Sequence, residues 1–169
     1  CGPQWRDTVE GDWRDSWRAM EAAYDEGKVK AIGVSNVSPR EVDELMQFAR
    51  IKPHIIQAWM DPFHSSSKLR ETCERHNIRF MAYSTLGTQW SMQGHGNPVL
   101  SSSKLREYGD PARVALSWAL LRNAVVIPRS FSDERIAANA RLYEGGVLTV
   151  GLDAAALAAI DALDGALDN

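Results

Sequence analysis

Cysteine is nearly absent from this chain. Cys1 and Cys73 are the two in 169 residues, and they form neither a disulfide framework nor a metal-ligand spacing. The four histidines, His54, His64, His76 and His95, fall in no ligand motif either, so no metal site is expected. No apolar run approaches the about 18 residues of a spanning helix, which predicts no transmembrane segment. An excess of positive charge is missing as well. Nineteen Lys and Arg against 22 Asp and Glu leave a net charge of -3, which argues against a general nucleic-acid binder but leaves room for a small anion in a local basic pocket. There is no secretory signal pattern and no initiator Met. The start at Cys1 reads as cut or processed. A lipoprotein anchor would place a cysteine there, but no signal segment precedes it. The remaining composition, 44% hydrophobic and 24% charged, is that of an ordinary globular protein, and the length predicts a single domain over 1–169.

What is present is an alternation of periodicities. Residues 12–26 read as an amphipathic helix with Trp13, Trp17, Met20 and Tyr24 at helical spacing, stopped by Gly27. A β-branched run covers 29–34. Ser38, Pro39 and Glu41 supply an N-cap, a first-turn proline and a capping box for a helix to about Ala49. Strand and helix then alternate: 54–59, 68–76 with Asn77 as a left-handed stop, and 78–83. A loop from Ser84 to about Val99, long enough to be functional or mobile, leads to helical patterns over 101–107 and 111–122. The fourth strand is predicted at 124–127, and the last helices at 132–142 and 153–163. This order predicts an α/β fold with a parallel sheet and helices outside it. Four right-handed units make a (β/α) half-barrel, about half of an eight-stranded TIM-type barrel. Its open edges and apolar interior would then need a cover. The heptamer Ser65–Glu71 recurs as Ser101–Glu107. Because its flanks do not match, it reads as two independent Ser-capped helix starts rather than a repeat architecture.

Two segments carry the chemistry. Lys28-Val29-Lys30-Ala31-Ile32-Gly33-Val34-Ser35-Asn36 and the Val126–Asn139 stretch are apolar runs ending in small polar or cationic groups. Parallel strands with ligand contacts at their C-terminal ends have this form. With Trp17-Arg18-Ala19-Met20-Glu21, Ala82-Tyr83-Ser84-Thr85-Leu86-Gly87 and Ala112-Arg113-Val114-Ala115-Leu116-Ser117-Trp118, they succeed one another in an order that resembles the C-terminal half of an aldo-keto reductase, from about Trp13 to Leu163.

That resemblance implies an NADP(H) half-site. Ser35, Asn36 and Gln57 would hydrogen-bond the nicotinamide carboxamide, which offers both donor and acceptor, and Tyr83 would stack on its ring. Leu86, Gly87 and Thr88 would line the pyrophosphate path. Arg129, Ser130, Ser132 and Arg135 would gather the 2′-phosphate, and Asn139 would reach the adenine. Two guanidiniums and hydroxyls near a helix N-terminus suit a phosphate independently of any family, and they favour NADP over NAD. The chain departs from the family pattern at Arg129, where Lys is usual, at Ala138, and over Ile56-Gln57-Ala58-Trp59-Met60-Asp61-Pro62. Trp59 and Trp90 are candidate substrate-pocket walls, while the other tryptophans, Trp5 included, are expected in the core or an interface. His95 is expected to be exposed.

The family's catalytic Asp, Tyr, Lys and His come from strands that would precede this sequence. Tyr24, Tyr108 and Tyr143 fall on predicted helices or their ends, so no catalytic residue is assigned. Two readings follow. In one, the chain is the cofactor half of an NADPH-dependent reductase of aldehydes and ketones, whose missing N-terminal half covers the barrel edge. In the other, it is a silent structural or accessory subunit bound to a protein partner. The expected location is cytoplasmic, or organellar after removal of a transit peptide.

Overall fold

A computed structural model describes residues 12–167, so Cys1 and Trp5 lie outside the described residues. Helix α1 (Trp13–Asp25) precedes β1 (Gly33–Ser35), α2 (Pro39–Phe48), β2 (Ile55–Trp59), α3 (Ser67–Arg75) and β3 (Arg79–Tyr83). Three short helices follow, α4 (Thr88–Met92), α5 (Pro98–Ser101) and α6 (Ser103–Arg106), then α7 (Pro111–Leu121) and β4 (Val125–Val126). Helix α8 (Asp133–Ala140), the hairpin β5 (Tyr143–Glu144) and β6 (Val147–Leu148), and α9 (Ala154–Asp161) complete the chain.

The four principal strands form one parallel sheet in the order β1-β2-β3-β4, the arrangement expected of four successive right-handed strand–helix units. Alternate residues point to opposite faces of a strand. Ile56, Ala58, Phe80 and Ala82 are buried on the face that receives the helices, where Val42, Leu69, Cys73, Val114 and Trp118 join them in the main core. A smaller cluster of Trp17, Ile32, Leu45 and Ala49 seats α1. There Glu21 accepts hydrogen bonds from the Trp17 indole (3.1 Å) and the Ile51 amide (2.8 Å).

The opposite face carries Ile55, Gln57 and Trp59 from β2, level with Gly33 and Ser35 on one side and Arg79, Met81 and Tyr83 on the other. The apolar interior expected of a half-barrel is therefore mixed in character. Ser35, Gln57, Arg79 and Tyr83 interrupt its apolar members.

Local signals explain most boundaries. Ser38 and Glu41 form the capping box of α2, and Asn77 takes φ 55° after α3. The repeated heptamer behaves differently in its two places. Ser102 caps α6 through the Leu105 amide, whereas Ser66 makes no cap bond for α3 and instead donates to the Trp59 carbonyl at 2.7 Å. Tyr143 lies in a strand, not at a helix end. The Gly145-Gly146 pair, both at positive φ, makes the two-residue hairpin turn that favours left-handed residues. Helix α9 closes on α7 where Asp161 accepts from the Trp118 indole (2.9 Å) and pairs with Arg122.

Cys73 is buried in the core, and desolvation pushes its thiol up from 9.0 to about 11. The thiolate is the reactive form. In a Cys1→Ser variant, iodoacetamide should label native protein about 100-fold more slowly than denatured protein under mildly alkaline conditions, from the shift in thiolate population alone. Because the folded value is the raised one, stability should decline as pH rises through the interval from 9.0 to about 11. Equal labelling of native and denatured protein would contradict this placement.

Candidate cofactor site at the strand ends

Parallel strands deliver their C-terminal residues to one rim. Here β1 ends in Ser35, β2 in Gln57 and Trp59, and β3 in Tyr83. The first residues beyond β1 and β3 both leave in the left-handed region, Asn36 at φ 58° and Ser84 at φ 54°. Asn tolerates that geometry, but Ser pays of order 1–2 kcal/mol for it. Strained turns of this kind collect at ligand sites.

The rim is braced from within. The Tyr83 hydroxyl donates to Asn36 Oδ1 at 2.9 Å, spanning from β3 to β1 over the intervening β2. The Asn36 amide donates to the Gln57 carbonyl at 2.9 Å, and the Met60 amide to the Tyr83 carbonyl at 3.2 Å. Partial burial pushes the Tyr83 phenol up, so it stays a neutral donor. Four of the predicted residues, Ser35, Asn36, Gln57 and Tyr83, are thus gathered at one rim.

Their remaining bonding capacity is the most telling chemical feature of this rim. Gln57 spends its amide N–H on the Met81 thioether (3.2 Å), a weak acceptor. Among the described residues, the Ser35 hydroxyl and the Asn36 side-chain amide N–H groups have no partner. Side chains at a strand-end rim with donors and acceptors to spare fit an amide-bearing ligand such as nicotinamide.

Leu86, Gly87 and Thr88 follow directly. Gly87, at φ 79°, starts α4, and a Cβ there would lie 2.3 Å from Asn97 Oδ1. Asn97 holds the turn by donating to the Leu86 carbonyl at 2.9 Å. The supposed long loop therefore contains an ordered helical turn. It escaped the sequence reading because one turn is too short to show a period.

Arg129, Ser130, Ser132, Arg135 and Asn139 occupy the segment after β4 and helix α8. The Ser132 hydroxyl caps α8 through the Arg135 amide (3.4 Å) and its own amide donates to the Ser130 hydroxyl (3.1 Å). Both guanidiniums are exposed, and neither has a carboxylate partner among the described residues. Asp133 and Glu134 fill the first turn of α8 and offset part of the positive field. Arg129 lies over the ring of Phe131 (5.5 Å), which is 93% exposed. No hydrogen bond or ring contact among the described residues joins this segment to the strand-end rim.

Sequence reasoning missed a second cluster beside the rim. Asp61 is 0% exposed, and its Oδ2 accepts from the indoles of both Trp59 (2.7 Å) and Trp90 (3.0 Å), while Oδ1 accepts from the Phe63 amide (2.8 Å). Desolvation pushes its carboxyl up, opposed by these three donors. Trp90 is 4% exposed and packs in the core, so it supplies no pocket wall, whereas Trp59 is half-buried. His95 is exposed. The signal that could have revealed Asp61 is its place between two indoles at a strand end, but their convergence needs the fold.

A concavity of about 680 Å³ opens at the other end of the sheet, near His54, Arg79 and Asn123. It lies away from all of these groups. Among the described residues there is no group of three or more His, Cys, Asp or Glu placed to hold a metal, and no helix long and apolar enough to cross a membrane.

A sequence model of the Aldo/keto reductase family matches residues 5–164. The chain belongs to the aldo/keto reductase family. Among curated relatives it is 35% identical over 130 residues to the 9,11-endoperoxide prostaglandin H2 reductase of Trypanosoma cruzi, covering 77% of this chain and 46% of that protein. It is 36% identical over 134 residues to the glyoxal reductase of Bacillus subtilis, covering 78% and 47%. Among solved structures, the aldo-keto reductase AKR2E5 of the silkworm, Bombyx mori, matches with a TM-score of 0.80 and 26% identity over 92% of this chain and 48% of that one. Its complex with NADPH matches with a TM-score of 0.80 and 25% identity, covering 92% and 49%. The chain spans about half the length of the curated aldo/keto reductases it matches.

Proposed function

We propose that this chain provides the cofactor-binding side of an NADPH-dependent reductase of aldehydes and ketones. The observation that carries the reading is the rim where Tyr83 pins Asn36 across β2 while Ser35 and Gln57 keep bonding capacity unspent. The cofactor, when bound, would supply the hydride. Ser35, Asn36 and Gln57 would orient its carboxamide, and Tyr83 would offer its ring face. Leu86, Gly87 and Thr88 would follow the pyrophosphate. Arg129, Ser130, Ser132 and Arg135 would gather the 2′-phosphate, with Asn139 toward the adenine.

The proton donor and the groups that tune it would come from a part of the protein, or a second chain, outside this sequence. General acid catalysis is worth about 10²–10⁴-fold. The isolated chain is therefore expected to bind NADPH without appreciable turnover. A reducing compartment, the cytoplasm or an organelle, suits that chemistry.

Tyr83→Phe tests the rim. It removes one intramolecular hydrogen bond, so stability should fall by about 1 kcal/mol, and NADPH affinity should fall as well because the Asn36 side chain loses its anchor. An unaltered affinity would separate the Tyr83–Asn36 brace from cofactor binding. The accessory-subunit reading draws on one observation, the incompletely covered sheet face with Ile55, Trp59 and Met81. It would gain if a folded sample bound no NADPH and sedimented only as a complex.

A further inference from the structure

Fixing an indole with a fully buried carboxylate is costly, because the charge must leave water. Asp61 bears that cost for two indoles at once, and it is locked further by reciprocal backbone bonds with His64, each 3.0 Å. The His64 ring then stacks on Trp59 with centroids 3.9 Å apart and planes 13° from parallel. Trp90 meets Trp59 edge-on at 4.9 Å and 71°. Trp59 therefore has one ring neighbour parallel, one perpendicular, and its N–H tied down. Its side chain has little rotational freedom left, yet it is only half-buried.

The location of this assembly gives it meaning. Trp59 is two residues after Gln57, so both point to the same face of β2, and it lies level with Tyr83 on β3. A half-buried indole of fixed orientation thus adjoins the groups assigned above to the nicotinamide. Aromatic partners prefer such surfaces, and stacked or edge-on pairs add about 0.5–1.5 kcal/mol beyond area burial. A small polar carbonyl compound would gain nothing from it.

Resting on the cofactor reading above, we infer that Trp59 is a specificity-determining residue that favours aromatic over small polar carbonyl substrates, and that Asp61 is the positioning residue that sets its plane. Asp61 acts through the two indoles and touches no reacting atom.

The test uses the full chain with 2-acetonaphthone and acetone as probes. Binding is followed by the indole N–H resonances in ¹⁵N NMR, with Trp59 assigned from Trp59→Phe. The naphthyl ketone should shift the Trp59 resonance and bind well above acetone. Trp59→Ala should weaken it roughly 10-fold, Trp59→Phe should recover most of that loss, and NADPH affinity should change little in either. Asp61→Asn should move both the Trp59 and Trp90 N–H resonances and weaken the naphthyl ketone while the protein remains folded, a signature that general destabilisation would not give. Equal affinity of wild type and Trp59→Ala for 2-acetonaphthone, or shifts confined to other indoles, would overturn the inference. Failure of wild type to bind NADPH with the Trp59-dependent contrast intact would overturn the cofactor reading alone.

Discussion

Replacing Arg129 and Arg135 together by Ala is expected to weaken NADPH binding by roughly 30- to 150-fold while leaving NADH binding within about 3-fold of wild type. Charge-assisted hydrogen bonds contribute about 1.5–3 kcal/mol each. Because both guanidiniums are exposed, about 1–1.5 kcal/mol each, at or below the foot of that range, applies, giving about 2–3 kcal/mol for the pair and the stated change through the usual tenfold per 1.4 kcal/mol. The 2′-phosphate is the group that distinguishes the two cofactors, so the loss should fall on NADPH. Stability should not change. Helix α8 has no buried residue, and neither guanidinium has a carboxylate to lose among the described residues. Raising ionic strength toward about 1 M should compress the effect, since the screening length falls to about 3 Å. Parallel titrations with the two cofactors decide it: equal weakening of both would mean that the arginines do not read the 2′-phosphate.

Gly33→Ala is expected to be the most damaging small substitution in the sheet. An added Cβ would lie 2.2 Å from the Ile55 carbonyl oxygen and 3.1 Å from its carbon. Those are backbone atoms of the neighbouring strand, paired with Gly33 in register, and they cannot swing aside as a flexible side chain would. Strand β1 would have to separate, which strains the bonds from the His54 amide to the Ile32 carbonyl and from the Asn36 amide to the Gln57 carbonyl, both 2.9 Å. Overpacking commonly costs 1–3 kcal/mol and occasionally more. With backbone as the obstacle, about 3–4 kcal/mol is expected, or a fall in Tm of about 10 °C for a domain of this size. Because Ser35 and Asn36 follow directly, NADPH affinity should fall with it. Gly27→Ala is the control. It has positive φ (70°) but nothing within 4 Å of its Cβ, so only the left-handed penalty of about 1 kcal/mol remains. Thermal unfolding of the two variants side by side checks the contrast, and equal losses would mean that the β1–β2 contact yields.

The parts of this molecule written in local code were legible from the residues. Ser38, Pro39 and Glu41 announce α2 because capping chemistry acts over three residues, and the alternation of strand and helix gives the parallel order. Family resemblance suggested cofactor roles for Ser35, Asn36 and Gln57, which spacing does not supply, and the structure gathers the three at one rim. Other features were hidden for physical reasons. The turn of α4 is too short to show a period, and its one strong apolar residue, Trp90, is fixed by a carboxylate 29 residues away. The hairpin of β5 and β6 has two-residue strands, and its Gly-Gly turn looks like any loop. Ser66 looked like a cap and instead donates to the end of β2, because the tertiary partner is the better acceptor. The Tyr83–Asn36 brace spans 47 positions of sequence and exists only once three strands are in register.

Binding of NADP(H) by the strand-end rim together with Arg129 and Arg135 carries the proposed function. Titration of the chain with NADPH and with NADH, read by quenching of tryptophan fluorescence, tests it most directly. Saturable binding with clear preference for NADPH is expected. A folded sample that binds neither cofactor, or binds both alike, would contradict it.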